Sequence, residues 1–199
     1  DLQDVSENIV FRDLSFPENV GVLDASNLIF DGIATPGGRG TFQFVDGLTI
    51  RDSAFFDAVR DGPLNEGDTW DPGMNKISGT YIGDTTGLLM EGNFYDHNGW
   101  ADDYDYGLST DYGQPPSKFS HNIYIQRDVE DVTFRDNITM RAASIGAQIR
   151  PSGHVEDNVF LDNNVAVNLL GGGRGEVGPL DGHFGLFMDN LVTSGGAKQ

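Results

Sequence analysis

The chain has 199 residues, with 12 lysines and arginines against 31 aspartates and glutamates, and a net charge of −19. That balance excludes a nucleic-acid binder, which needs a basic stripe to neutralise phosphates, and a protein that docks on an anionic membrane. Zero cysteine excludes disulfide frameworks, thiolate metal sites and cysteine nucleophiles, while 38% hydrophobic and 11% aromatic residues suffice for a folded core.

In chain order, a short apolar phrase closed by Asp, Asn or Gly recurs. It reads Asn8-Ile9-Val10-Phe11-Arg12-Asp13, Asn27-Leu28-Ile29-Phe30-Asp31-Gly32, Gly47-Leu48-Thr49-Ile50-Arg51-Asp52 and Gly87-Leu88-Leu89-Met90-Glu91-Gly92. It returns at Asp131-Val132-Thr133-Phe134-Arg135-Asp136, Val155-Glu156-Asp157 and Phe187-Met188-Asp189. Between the markers Asp13, Asp31, Asp52, Gly92, Asp136, Asp157 and Asp189 the steps are 18, 21, 40, 44, 21 and 32. The short steps define one repeat. The long ones hold insertions rich in Gly, Pro, Asp and aromatic residues, at about residues 60–77, 99–119 and 168–183.

A period near 20 with short strands and Gly/Asn/Asp corners predicts an all-β solenoid: a right-handed parallel β-helix of about 7 coils with long loop insertions, over 1–199 as a single domain. Val10, Ile29 and Val132 are expected to point inward with their i±2 neighbours. Corner Asn and Asp tolerate the left-handed conformation and can stack in a ladder. A β-sandwich is the alternative. Leucine-rich repeats share the period but need a leucine skeleton that this chain lacks. The acidic opening Asp1-Leu2-Gln3-Asp4 is no signal peptide, and Gln3 to Gly21 enters mid-pattern without a polar cap. The expectation is a section of a longer chain, from a secreted, periplasmic or cell-surface protein.

The strands Gly79–Gly83, Asn122–Gln126 and Ala147–Arg150 align by repeat. If Ile123 and Ile125 face inward, Asn122, Tyr124 and Gln126 face out, and an outer row holds Tyr81, Tyr124, Gln148 and Asn168, with Gln126 and Arg150 beside it. Lys118, His121 and Tyr124 lie within seven residues, Arg141 and Arg150 follow on the next turn, and His97 opens the preceding loop. Much of the scarce positive charge is thus expected around one groove. That set suits abstraction of the C5 proton of a uronic acid. The adjacent carboxylate must be neutralised, and Tyr, His or Lys must carry protons. Trp70, Trp100, Tyr104, Tyr106 and Tyr112 could stack on sugar rings. Asp102, Asp103, Asp105 and Asp111 could hold Ca²⁺ or supply a hydrolase's carboxylate pair. Gly171–Gly175 lacks the Lys-Ser/Thr of a phosphate loop, and the sequon Asn137-Ile138-Thr139 falls in a coil turn.

The phrases Asp136-Asn137-Ile138, Asp157-Asn158-Val159-Phe160-Leu161-Asp162-Asn163 and Phe94-Tyr95-Asp96-His97-Asn98-Gly99-Trp100, with the Lys118–Tyr124 segment, resemble the β-helix polysaccharide lyases and mannuronan C5-epimerases that act on alginate. The resemblance spans about residues 5–170. It implies β-elimination on an acidic polysaccharide, with Tyr, Lys or His as base and acid and Arg or Ca²⁺ neutralising the carboxylate. Carried over, the catalytic candidates are Lys118, His121, Tyr124 and Arg150. The substrate-binding candidates are Tyr81, His97, Trp100, Gln126, Arg141 and Gln148. Asp71-Pro72-Gly73 departs from the Asp-Pro-His signature of the epimerases, which favours a lyase over an epimerase. A β-helix glycoside hydrolase and a non-catalytic glycan-binding or structural β-helix are the other expectations, with further domains of the same chain as partners.

Overall fold

The computed structural model describes residues 6–59, 77–100, 119–169 and 184–193. The predicted insertions fall largely outside them. The third begins later than expected, because Asn168 and Leu169 still belong to a strand.

The described residues form strands and no helix. In chain order these are β1 (Ser6–Arg12), β2 (Val20–Asp31), β3 (Ala34–Pro36), β4 (Gly40–Arg51), β5 (Ala54–Phe56), β6 (Ser78–Gly83), β7 (Thr86–Glu91) and β8 (Phe94–Asp96). They continue as β9 (His121–Ile125), β10 (Thr133–Arg135), β11 (Ile138–Met140), β12 (Ile145–Ile149), β13 (Gly153–Glu156), β14 (Val159–Leu161), β15 (Val165–Leu169), β16 (Gly185–Met188) and β17 (Leu191–Val192). Every pairing between them is parallel, so each strand lies against its counterpart one repeat away. Short strands that pair in parallel with a partner so near in sequence require the chain to wind round and return. The arrangement is therefore solenoid-like.

The strands fall into three rows. The first halves of β2 and β4 continue through β6, β9, β12 and β15. The second halves pair with β1 and continue through β7, β10, β13 and β16. The third row is β3, β5, β8, β11, β14 and β17. In β2 and β4 the chain turns the corner between the first two rows without breaking, at Asp24 and Asn27 and at Phe44 and Gly47, all with positive φ.

The interior is filled from all three rows. Phe30, Ile50, Met90, Phe134 and Val155 share one register column and are almost fully buried. Phe55 stacks on Tyr95 across the third row, with ring centroids 5.2 Å apart. Val132 points inward as expected, but Val10 is exposed and Ile29 only half-buried. Ile9, Phe11, Leu28 and Phe30 take the inner positions instead. The phase was off by one, and in a strand one residue exchanges the two faces.

The markers do sit at corners. Asp13, Gly32, Asp52, Gly92, Asp136, Asp157 and Asp189 all adopt the left-handed conformation, with φ between 49° and 66°. The second marker is Gly32 rather than Asp31. One residue further on, the side chains turn inward and form a ladder. Ile33 N–H donates to Ser53 Oγ, and Ser53 N–H to Asn93 Oδ1. Asn93 donates to Asn137, Asn137 to Asn158 and Asn158 to Asn190, each through backbone N–H and Nδ2. Buried backbone groups need partners, and at a corner the sheet cannot supply them. The amide column does so.

The outer face of the second row carries another ladder. Arg12, Asp31, Arg51, Glu91, Arg135 and Glu156 fall in register and alternate in sign. Arg12 and Arg51 both donate to Asp31 Oδ2, at 2.9 and 2.8 Å, and Arg135 Nε donates to Glu91 at 2.6 Å. The hydrogen bond from Arg51, aided by Arg12, holds the Asp31 carboxyl below its usual range. Arg12, Arg51 and Arg135 thus serve this row.

Candidate functional site

The site grows from the first row. Ile123 and Ile125 are fully buried, as the alternation required. Tyr81, Tyr124, Gln148 and Asn168 pair in register on the outer face, as read from the sequence. Tyr81 and Tyr124 stack with centroids 5.7 Å apart and an interplanar angle of 6°. Asn168 Nδ2 donates to Gln148 Oε1 at 3.2 Å, and Gln148 is itself only 8% exposed.

Beside this row, Gln126 and Arg150 come together with Tyr124. Arg150 Nη1 donates to the Tyr124 hydroxyl at 2.8 Å and to Gln126 Oε1 at 3.0 Å. The Tyr124 hydroxyl donates to Gln126 Oε1 at 3.2 Å, and the Arg127 backbone N–H donates to the same oxygen at 3.3 Å. One amide oxygen therefore gathers the Tyr124 phenol, the Arg150 guanidinium and a backbone N–H. Burial pushes the Tyr81 hydroxyl up, and the Asp128 and Asp84 carboxylates add to this. Tyr81 is a proton-bearing phenol across the neutral range. Those two acids flank the end of the row, where Asp84 N–H donates to Asp128 Oδ1 at 2.9 Å.

His121 stacks on Tyr124 with centroids 5.4 Å apart. It is 2% exposed, its Nδ1 has no hydrogen-bond partner, and burial lowers its pKa to about 4. Its imidazole is therefore neutral at ordinary pH. Asn122, expected on the outer face with Tyr124, is instead fully buried. The reason lies at the corner between the third and first rows. There Ala58 N–H donates to Asn98 Oδ1, and Ala142 N–H to Asn163 Oδ1, but position 142 itself carries no amide. Asn122 turns inward to receive Asn98 N–H and Nδ2, and donates to the Met140 carbonyl. This inward turn breaks the alternation at the start of β9 and brings His121 against Tyr124.

The structure brings Tyr81, His121, Tyr124, Gln126 and Arg150 together. His97, Trp100 and Arg141 form a second group at the corner leading into the first row. There Arg141 is paired with Asp96, its Nε donating to Oδ1 at 2.8 Å. His97 Nδ1 lies 2.9 Å from Asp57 Oδ1 and its ring stacks on Trp100, whose Nε1 donates to the Arg141 carbonyl at 2.8 Å. Lys118, Trp70, Tyr104, Tyr106, Tyr112 and the acids Asp102, Asp103, Asp105 and Asp111 lie outside the described residues. Among the described residues no three His, Asp or Glu are grouped to hold a metal ion.

No family model, curated protein or solved structure matches the chain. The functional reading therefore rests on the residues.

Proposed function

We propose that the protein is a lyase that cleaves an acidic, uronate-containing polysaccharide such as alginate by β-elimination, on a right-handed parallel β-helix of about seven coils. The three rows of parallel strands support the architecture. The right hand follows the rule that governs parallel β crossovers. The observation that carries the function is the Tyr124 hydroxyl held between the Arg150 guanidinium and the Gln126 amide, on an outer face lined by a second tyrosine.

β-Elimination removes the proton at C5, forms a C4–C5 double bond and breaks the bond from C4 to the glycosidic oxygen, which must be protonated. Tyr124 is assigned as the proton carrier. As the phenolate its oxygen takes the C5 proton and becomes the phenol, and as the phenol it gives that proton to the leaving oxygen, which returns the phenolate, so no proton is gained or lost overall. Negative charge on that oxygen is stabilised by donation from Arg150. The same cation offsets the substrate carboxylate and the charge that grows beside it in the transition state. Gln126, locked by its bonds to Tyr124 and Arg150, holds the Tyr124 phenol in place, and Tyr81 stacks on its ring. Neutral His121 is a positioning residue. It packs on the Tyr124 ring without adding a second positive charge. Such polymers lie outside the cytoplasm, so the reading implies a secreted, periplasmic or surface protein.

The test is incubation with alginate, pectate and hyaluronan, read by the ultraviolet absorbance of unsaturated uronyl ends. A rise on one of them is expected. No rise on any would refute the lyase. Altered polymer NMR without chain shortening would indicate an epimerase, and reducing ends without absorbance a hydrolase.

A further inference from the structure

The corner between the third and first rows holds a feature that the proton-transfer site does not use. One residue past the paired third-row strands, Gly37, Asp57, His97, Arg141 and Asp162 occupy equivalent positions, all with φ between 46° and 76°. This is the left-handed region, which Gly enters freely and Asp, Asn or His at modest cost, while bulkier residues are strained there. Four of the five positions obey that preference. The one that violates it, Arg141, is the neighbour of His97 in the stack. A turn alone would be better served by Gly or Asp, so the strain points to a use for the Arg141 side chain.

The surroundings of this pair indicate the use. Both project to the surface, with 41% and 51% of their side chains exposed. His97 lies against Trp100, giving two flat rings with centroids 5.7 Å apart and an interplanar angle of 17°. Trp100 is fixed in turn by its bond to the Arg141 carbonyl. Asp57 holds the imidazole from one side, and Asp96 holds the guanidinium by Nε and Nη2. A guanidinium aimed by a nearly buried carboxylate, beside a braced aromatic surface, matches the needs of an acidic sugar. The ring packs on the aromatic surface and its carboxylate meets the cation.

The geometry points to a second uronate-binding subsite at His97, Trp100 and Arg141, which grips the acidic polymer away from the bond that is cut. It rests on the lyase reading for the identity of the polymer. The two sites are linked through a pair of buried amides. Asn98, next to His97, bonds Asn122, next to His121, at 3.0 Å, and two strand residues at about 3.3 Å each then lead to Tyr124. A chain of several sugars can therefore touch both, whereas a short fragment can occupy only one.

The experiment is calorimetric binding of alginate oligosaccharides graded by length to the full chain, with carboxyl-reduced oligosaccharides as the neutral control. The variants are Trp100→Ala, His97→Asn, which keeps a side chain that tolerates the corner, and Arg141→Lys, which keeps the charge but loses the fork. Tyr124→Phe serves as the catalytic-site control. Long acidic oligosaccharides should bind each corner variant about tenfold more weakly, the loss of one charge-assisted bond or ring contact. The shortest fragments and the neutral controls should be little changed, and Tyr124→Phe should bind the long ones normally. Equal affinity of wild type and all three corner variants at every length overturns the subsite, even if cleavage is seen. Length-dependent binding lost in the corner variants, in a protein that forms no unsaturated product, upholds the subsite while the lyase reading fails. Loss of neutral and acidic binding alike in Arg141→Lys overturns the assignment of that residue to the carboxylate.

Discussion

Asn137 sits in the middle of the amide column, fully buried, and its truncation measures what the column contributes. Its Oδ1 accepts from the Asn93 backbone N–H and from Asn93 Nδ2, both at 3.0 Å. Its Nδ2 donates to the Met90 carbonyl at 2.9 Å and to Asn158 Oδ1 at 3.1 Å. Asn137→Ala removes these four bonds and leaves the buried Asn93 backbone N–H and one of its two Nδ2 hydrogens without an acceptor, the other keeping the Ile50 carbonyl. An unsatisfied buried group costs about 1–3 kcal/mol, so the two together predict a loss of about 4 kcal/mol. For a chain of this length that is a fall in melting temperature of roughly 10 °C. Urea unfolding followed by circular dichroism gives the free energy, with exposed Thr86→Ala as the control. If Asn137→Ala falls within ~0.5 kcal/mol of the control, the column is not what satisfies the corners and the reasoning fails.

Three further outcomes follow from the same geometry. Burial holds the His121 pKa at about 4 in the folded state against 6.5 unfolded, so the unfolded chain binds the proton first. Stability from this group is complete above pH ~6.5 and is lost as pH falls toward 4, by up to about 3 kcal/mol. His121→Phe should flatten the pH dependence of urea unfolding in that window, and an unchanged slope would contradict the assignment. At Gly153, with φ 118°, an added Cβ would lie 2.4 Å from the Val132 carbonyl oxygen, whereas at Gly87 the nearest atom would be 3.7 Å away. Gly153→Ala should therefore cost about 3 kcal/mol by thermal melting and Gly87→Ala about 1, and equal losses would refute the packing argument. If, as proposed, Arg150 supplies the positive charge, a chelator should leave the rate of unsaturated product unchanged. Loss of activity restored by Ca²⁺ would instead direct attention to the acidic stretch Asp102–Asp111.

The repeat was legible because its chemistry is local. A left-handed corner admits few residue types, so Asp13, Asp52, Asp136, Asp157 and Asp189 announce it wherever it recurs. Asp31 misled by one position, because the glycine beside it suits the corner better. The outer row of Tyr81, Tyr124, Gln148 and Asn168 was legible for a similar reason, since Ile123 and Ile125 set the phase of their strand. The phase at Val10 and Ile29 was ambiguous, because Ile9-Val10-Phe11 and Leu28-Ile29-Phe30 are apolar at consecutive positions and carry no alternation. What could not be read depends on register between distant residues. The acids that pair Arg135 and Arg141 are 44 and 45 positions away. Nothing near Asn122 in sequence reveals that Ala142 leaves an amide position for it to fill.

The central claim is that Tyr124 carries the proton in a β-elimination. The measurement that tests it most directly is the rate of unsaturated-product formation by Tyr124→Phe on the polymer that the wild type cleaves, with binding of that polymer measured in parallel. Phenylalanine preserves the stacking on Tyr81 and His121 and removes only the hydroxyl held by Arg150 and Gln126. The account predicts a fall in rate of at least ~100-fold with affinity retained. A variant that forms product at the wild-type rate would contradict it.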